Sequence, residues 1–221
     1  LHARLGQLCV RGKRLVEGFE EARLQREQLE RYLAWVEKEG GLEGPTHLDT
    51  FFLPEQQDRL HWLKDHCEGS VLEAGCCYGY VLAYCGGTVG LDINERSIAL
   101  ARVLNPRKVF VQGDIRAMPF TDGFVDTVML VDVLEHLAWE DVARALAEAY
   151  RVARKKVLIT MPNAEYITRH ASLFKHRMLL TQERLQQFLD LLRQWTFHLE
   201  RNYYWTLFEV MKNKEGGESH G

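Results

Sequence analysis

The nine residues V-L-E-A-G-C-C-Y-G, from Val71 to Gly79, constrain this chain more than any other stretch. A short aliphatic run that stops on a carboxylate and passes at once into a glycine turn is how an α/β domain builds a nucleotide-sized site at a strand end. Gly75 and Gly79 carry no Cβ, so the backbone can turn tightly there and a ligand can approach it closely. The N–H groups of a helix starting near Tyr78 would then face an anionic group on that ligand.

Downstream, strand-like apolar runs alternate with helical stretches: Val71 to Leu72, Thr88 to Leu91, Val109 to Gln112, Thr127 to Val131, and Lys156 to Thr160. Such alternation predicts parallel strands joined by crossover helices. The clearest of these helices covers 139–152, where Val142, Ala145, Leu146, Ala149 and Tyr150 share a face. A further helix is expected from Gln182 to Leu192. Near the end, Phe197 to Trp205 and Thr206 to Met211 read as two strands whose short link forces them antiparallel. The fold class is therefore α/β.

Upstream, Leu15, Phe19, Ala22, Leu29, Leu33 and Val36 recur at three- and four-residue steps, with Arg26 interrupting the stripe. One long amphipathic helix is expected, packed either on its own domain or against a second copy; about three heptads are too few to choose. Gly40, Gly41, Gly44 and Pro45 end it and open a loop that carries Thr46, His47, Phe51 and Phe52. Pro54 fits the first turn of the next helix, with Leu60, Trp62 and Leu63 facing inward. The expected organisation is an N-terminal helical extension or lid over 1–53, one main domain over 54–211, and a polar, glycine-rich tail over 212–221 to which no structure is assigned.

A chain of 221 residues with 46% hydrophobic content supports one sizeable core plus an appendage. Its charge of -3 comes from interspersed acids and bases without a basic block, so nucleic acid is not the expected partner. No apolar run approaches the roughly 20 residues that span a bilayer, and the N-terminus lacks a leader pattern. A cytoplasmic protein without membrane contact is the expectation. The five cysteines include no C-x-x-C pair, and the adjacent Cys76 and Cys77 suit neither an ordinary disulfide nor a zinc corner. Reduced thiols are expected. His170 and His176 have no acid or thiol in register, so no metal is expected.

Four strand ends carry residues suited to one ligand. Glu73 ends the first; Asp92 ends T-V-G-L-D, 92 minus 73 or 19 positions later, where a carboxylate can accept both hydroxyl protons of a ribose. The stretch V-Q-G-D-I places Asp114 at the third strand end, able to accept a proton from an exocyclic amine, and Ile93 and Ile115 stand ready to sandwich an aromatic base. The fourth run, D-T-V-M-L-V-D-V-L-E-H-L, ends near Val131 and Asp132, with His136 about one helical turn beyond. An acid after a strand alone often only caps the next helix. In series, adenine, ribose and a charged tail each receive a matched partner.

With these motifs in place the chain resembles the class I S-adenosylmethionine-dependent methyltransferases from about Pro54 to Met211. It looks closest to the small bacterial, methyltransferase-11-like members, in which P-E-Q-Q-D-R-L-H-W-L precedes the glycine turn, M-P-F follows the third-strand acid, L-E-H follows the fourth strand and M-P-N ends the fifth. The resemblance implies a Rossmann-like, seven-stranded, mostly parallel sheet with an antiparallel last strand and helices on both faces. It implies S-adenosylmethionine as cofactor and S-adenosylhomocysteine as product. Glu73, Ala74, Gly75, Tyr78 and Gly79 would form the methionine-side turn, Asp92 and Ile93 would meet the ribose and base edge, Asp114 and Ile115 the adenine, and the backbone near Val131 the methionine amine. Two departures stand out: the family commonly has glycine at the position of Cys77, and the segment from Gly79 to Asp92 is short enough to limit its helix to about two turns.

The implied reaction moves a methyl group to a hydroxyl or amine of a small-molecule or glycan-like acceptor. A hydroxyl must lose a proton, and His136 is the candidate base, with backbone anchoring as its structural alternative. Tyr78, Tyr166, His170 and His176 are further polar candidates, and the segment 162–177 is either a cover for the acceptor or a solvated connection. A non-catalytic adenosyl-binding module would keep the same pocket, or have lost it through Cys77. An NAD-dependent oxidoreductase should carry G-x-G-x-x-G, where only G-x-x-x-G occurs, and no N-P-P-Y tetrapeptide of a base methylase is present. Association is expected to be monomeric or dimeric through the N-terminal helix.

Overall fold

A computed structural model describes residues 54–164, 180–202 and 204–212, together with positions 27, 30, 31 and 34. The loop with Phe51 and Phe52, most of the N-terminal stripe, Tyr166, His170, His176 and all but the first residue of the tail lie outside the described residues.

Aliphatic strands too short to bury themselves are stabilised by pairing side by side and covering both faces. Here β1 (Val71–Ala74), β2 (Val89–Asp92), β3 (Val109–Gln112), β4 (Val125–Val131), β5 (Ala153–Pro162), β6 (Thr196–Arg201) and β7 (Trp205–Met211) form one seven-stranded sheet in the order β3-β2-β1-β4-β5-β7-β6. The first five strands pair in parallel, whereas β7 runs antiparallel to both β5 and β6. This is the expected α/β class and topology. Trp205 opens β7 rather than ending β6: Asn202 Oδ1 accepts from Tyr204 N at 2.9 Å and Trp205 N at 2.8 Å, and that side-chain turn breaks the apolar run earlier than hydropathy indicates.

Helices α1 (Pro54–His66), α2 (Tyr80–Tyr84) and α3 (Glu95–Leu104) cover one face; α4 (Trp139–Val152) and α5 (Gln182–Leu192) cover the other. Strand alternation distributes β4 between the two: Val128 and Leu130 join the core with Val142, Leu146 and Phe188, while Met129 and Val131 join Leu63, Leu82 and Ile98. Each fully buried Leu or Ile contributes about 1.5–3 kcal/mol, so the two cores fix the strand ends firmly. Along α4 the inward row is Val142, Ala145, Leu146, Ala149 and Val152; Tyr150 sits half-buried at its margin, stacked on Trp195 at 4.6 Å. In α1, Leu60 and Leu63 are buried as expected, but Trp62 is only half-buried and donates Nε1 to Glu200 at 2.9 Å.

At the N-terminal side, the four described positions of the expected long helix are helical, and Arg31 Nη1 donates to the Leu104 carbonyl at 2.8 Å. That contact joins the segment to the end of α3 on its own domain.

Candidate functional site

Strand order turns around between β1 and β4, since β2 and β3 lie to one side and β5 to the other. The carboxyl ends of β1, β2 and β4 therefore lie at the position where open α/β sheets bind ligands. Gly75 N and Cys76 N both donate to Leu91 O, at 2.7 and 2.9 Å, which pins the start of the turn to β2. Gly75 has φ +88°, and a Cβ there would fall 2.4 Å from Val133 Cγ2, so this position requires glycine for both conformation and space. Gly79, at φ +74°, precedes α2 as its N-cap.

Cys77 also has a positive φ, 46°, without being glycine. Its N–H donates to Asp92 Oδ2 at 2.8 Å, while Asn94 N donates to Asp92 Oδ1 at 2.8 Å. Asp92 thus ends β2 as the sequence indicates and is fixed by two backbone donors, with lone pairs left over for hydroxyl protons. Ile93 beside it is 63% exposed, an apolar surface at these strand ends. Ala74 is fully buried in β1, and the half-buried Tyr78 faces Tyr80 edge-on with ring centres 6.5 Å apart.

Several expected contacts differ in detail. Helix α2 has five residues, less than the two turns expected, and its Leu82 N–H donates to Glu73 Oε2 at 2.7 Å. A helix amide expected to face the ligand is therefore satisfied by the strand's own carboxylate. Glu73 is only 3% exposed, and burial raises its pKa to about 8, with the Leu82 N–H and Arg59 opposing. Asp114 sits just past β3 as expected, but Arg116 engages it through the backbone N–H, Nε and Nη2 at 2.6–3.0 Å. That contact holds the Asp114 pKa below the usual carboxylate range. Arg116 continues to Asp141 through Nη1. Ile115 is 6% exposed and packs in the core with Leu91 and Met118, whereas Ile93 is exposed.

At the end of β4, Val131 is buried, and Asp132 turns through φ +47°. Asp132 Oδ1 accepts from Thr160 Oγ1 at 2.7 Å, and its other oxygen pairs with Arg59 Nη1. A 3-10 turn, Leu134–His136, follows; His136 is exposed on it and donates its backbone N–H to Val133 O at 3.1 Å.

Arg59 and Glu135 join Asp132 here without having been expected as site residues from the sequence. Arg59 is 5% exposed, lies 4.4 Å from the centre of the Trp205 ring, and faces both Glu73 and Glu135 electrostatically. Glu135 is 2% exposed, neither of its side-chain oxygens has a hydrogen-bond partner among the described residues, and burial raises its pKa to about 8. Arg59 shares the i, i+1, i+4 stripe with Leu60 and Leu63, so spacing alone marks it as inward. Its charge masked that signal. Glu135 has no periodic signal in so short a turn.

Elsewhere, Arg116, Arg144, Glu148 and Arg151 line an open groove of about 380 Å³. Asp114 and Asp141 answer Arg116, while Glu148 and Asp122 answer Arg151. Among the described residues no group of three or more His, Cys, Asp or Glu could hold a metal, and no helix is long and apolar enough to cross a membrane.

An exposed apolar surface beside a strand-end carboxylate and a glycine turn suits an adenosyl ligand, and comparison with known proteins points the same way. Residues 72–161 match a family model described as a methyltransferase domain. A protein of Mycolicibacterium smegmatis named a probable S-adenosylmethionine-dependent methyltransferase is 32% identical over 128 residues, covering 50% of this chain and 49% of its own. The chain thus spans about half the length of the curated relatives it matches. Two solved structures share the fold. An S-adenosylmethionine-dependent methyltransferase from Thermotoga maritima has a TM-score of 0.59 at 19% identity, covering 71% of this chain and 88% of its own. Magnesium protoporphyrin IX methyltransferase from Synechocystis, with S-adenosylhomocysteine bound, has a TM-score of 0.55 at 16% identity, covering 84% and 94%. The matched stretch, residues 72–161, is thus similar to a methyltransferase domain and spans the strands whose order reverses between β1 and β4.

Proposed function

We propose that this protein transfers a methyl group from S-adenosylmethionine to a hydroxyl or amine of a small-molecule or glycan-like acceptor. The single observation that carries the reading is Asp92: a carboxylate fixed by Cys77 N and Asn94 N at the mouth of the strand-order reversal, beside the exposed Ile93. In this reading Asp92 takes the ribose hydroxyl protons and Ile93 supports the base. Gly75 and Gly79 keep the methionine side of the site clear of Cβ atoms, and the Val131–Asp132 backbone borders the amino-acid end. Asp114, already engaged by Arg116, contributes to the adenine edge with whatever acceptor capacity that pairing leaves.

The cofactor supplies, when bound, a methyl group already activated by a sulfonium. The chain's own residues then have to position the acceptor and exclude water. His136, exposed on the turn after β4, is the group in this reading that takes a proton from a hydroxyl acceptor; an amine that arrives unprotonated needs no such base during transfer. The acceptor is read as small because the arginine groove is neutralised by neighbouring carboxylates and the chain has net charge -3, neither of which favours a polyanion.

A second reading, a non-catalytic adenosyl-binding module, is favoured by Cys77, whose Cβ occupies a turn position that is commonly glycine in such domains. Calorimetric titration decides the cofactor: micromolar binding of S-adenosylhomocysteine with no binding of NADH is expected, whereas binding of neither ligand would refute the enzyme and support a module that lost the pocket through Cys77. Methyl transfer to a panel of small hydroxyl and amine acceptors then separates enzyme from module.

A further inference from the structure

Helix α1 reaches the carboxyl end of β4 through one buried cation. Arg59 is 5% exposed; its Nη1 pairs with Asp132 Oδ2, and its guanidinium lies 4.4 Å from the centre of the Trp205 ring. Asp132 Oδ1 accepts from Thr160 Oγ1 at 2.7 Å, so both carboxylate oxygens are held, one from α1 and one from β5. The residue so held has φ +47°, a left-handed conformation that a residue with a Cβ adopts against a steric cost. Such a conformation persists where the surrounding contacts over-determine it.

This turn falls where the ladders on both sides of β4 stop. Alternate residues of a strand direct their N–H and C=O to opposite neighbours. Thr127 N donates to Ser70 O on the β1 side, and Asp132 N donates to Thr160 O on the β5 side at 3.1 Å. Val131, an even number of positions from Thr127, therefore turns its carbonyl toward β1. Pairing of β4 with β1 ends at Met129, and the amides that follow β1, Gly75 N and Cys76 N, both donate to Leu91 O in β2 instead. On the other side, the β5 residue next in register for the Asp132 carbonyl is Pro162, which has no N–H.

We propose that Arg59 is a positioning residue for the amino-acid end of the cofactor: by holding Asp132 in its left-handed turn it keeps the Val131 carbonyl directed at the carboxyl ends of β1 and β4, where that oxygen accepts from the cofactor's ammonium. The role rests on the cofactor reading above. Val131 and Asp132 share one rigid peptide plane, so relaxation of the Asp132 φ tilts the Val131 carbonyl against its strand. Arginine suits the task because its planar guanidinium stacks on Trp205 while its edge pairs with the carboxylate, a combination that a single ammonium cannot make. The adenosine half of the ligand, read at Asp92 and Ile93 on β2, is served by none of these contacts.

The test is calorimetric titration of the full chain with two ligands that share the adenosine half, S-adenosylhomocysteine and methylthioadenosine, the second of which lacks the amino-acid end. Arg59→Met should weaken S-adenosylhomocysteine about tenfold, the scale of one charge-assisted hydrogen bond, and leave methylthioadenosine within about twofold. Adding Asp132→Asn to Arg59→Met should recover at least about threefold, because asparagine adopts a left-handed backbone readily and leaves no unpaired charge. Thr160→Val, which frees the other Asp132 oxygen, should weaken S-adenosylhomocysteine about threefold with methylthioadenosine unchanged, and it carries the test where Arg59→Met does not fold. Unchanged S-adenosylhomocysteine affinity, or an equal loss for both ligands, would overturn the role. An absence of recovery in the double variant would overturn positioning through Asp132 and mean that Arg59 meets the cofactor directly. A wild-type protein that binds neither ligand would refute the cofactor reading and this role with it, whereas a wild type that binds both, with variants that match it, refutes the role alone.

Discussion

Asp92 holds the turn of β1 and the end of β2 in one contact, so its substitution separates ligand binding from folding. Asp92→Ala should weaken S-adenosylhomocysteine binding by at least about tenfold, the cost of losing charged hydrogen bonds, with a circular dichroism spectrum like wild type. Unchanged affinity in a titration would refute the ribose contact. Cys77→Gly removes a side chain from a left-handed backbone position. It should stabilise the fold by about 0.5–1 kcal/mol in denaturant unfolding, as relief of steric strain exceeds the added chain entropy, and should keep or improve affinity. A large loss of affinity would mean that the turn has been rebuilt around the thiol. At this scale the sequence was legible wherever a residue type has one job, as with Asp92 after an aliphatic strand and Gly75 in a turn. It was illegible where a partner distant in the chain decides the role. Nothing near Glu73 announces that Leu82 N–H will occupy it, and the D-I-R stretch at Asp114 gives no sign that Arg116 will close back on it.

Among the elements, α1 is the one whose contribution to the site exceeded its sequence signal. Leu60 and Leu63 anchor it to the sheet, but Arg59 connects it to the end of β4 through Asp132 and to β7 through the face of Trp205. Arg59→Met keeps the apolar stem while removing the charge, so it should cost about 2–3 kcal/mol in urea unfolding through the loss of a charge-assisted contact. A variant as stable as wild type would show that α1 is held by its leucines alone. The strands were readable because a run buried on both faces is almost continuously apolar, and the shortness of α2 because so few positions separate Gly79 from Val89, though its five residues fall below the two turns expected. Boundaries slipped where side chains make the turn, as Asn202 does before β7.

Across the whole molecule, the titratable groups form two opposing sets. Glu73 and Glu135 have pKa values raised from 4.5 to about 8 by burial, so between those values the folded state holds protons that the unfolded chain releases. Their contribution is fully present below the unfolded value and is lost as pH rises through about 8. Asp114, Asp126 and Glu148 are lowered, first by Arg116, Ser70 and Arg151 respectively, and their contribution is lost as pH falls below the ordinary carboxylate value. Stability should therefore decline on both sides of a middle range, and Glu135→Gln should flatten the alkaline side in thermal melts between about pH 6 and 9. An unaltered slope would contradict the buried, proton-holding state of Glu135. The topology at this scale was the most legible feature, since alternating strand and helix patterns leave few ways to order a sheet, whereas the acceptor depends on contacts that no periodicity encodes. The most direct measurement is a crystal structure of the reduced protein with S-adenosylhomocysteine. The account requires the ribose hydroxyls on the Asp92 carboxylate, with the base beside Ile93 and the amino-acid end at the turn of Gly75; a ligand bound elsewhere, or a ribose that does not touch Asp92, would contradict it.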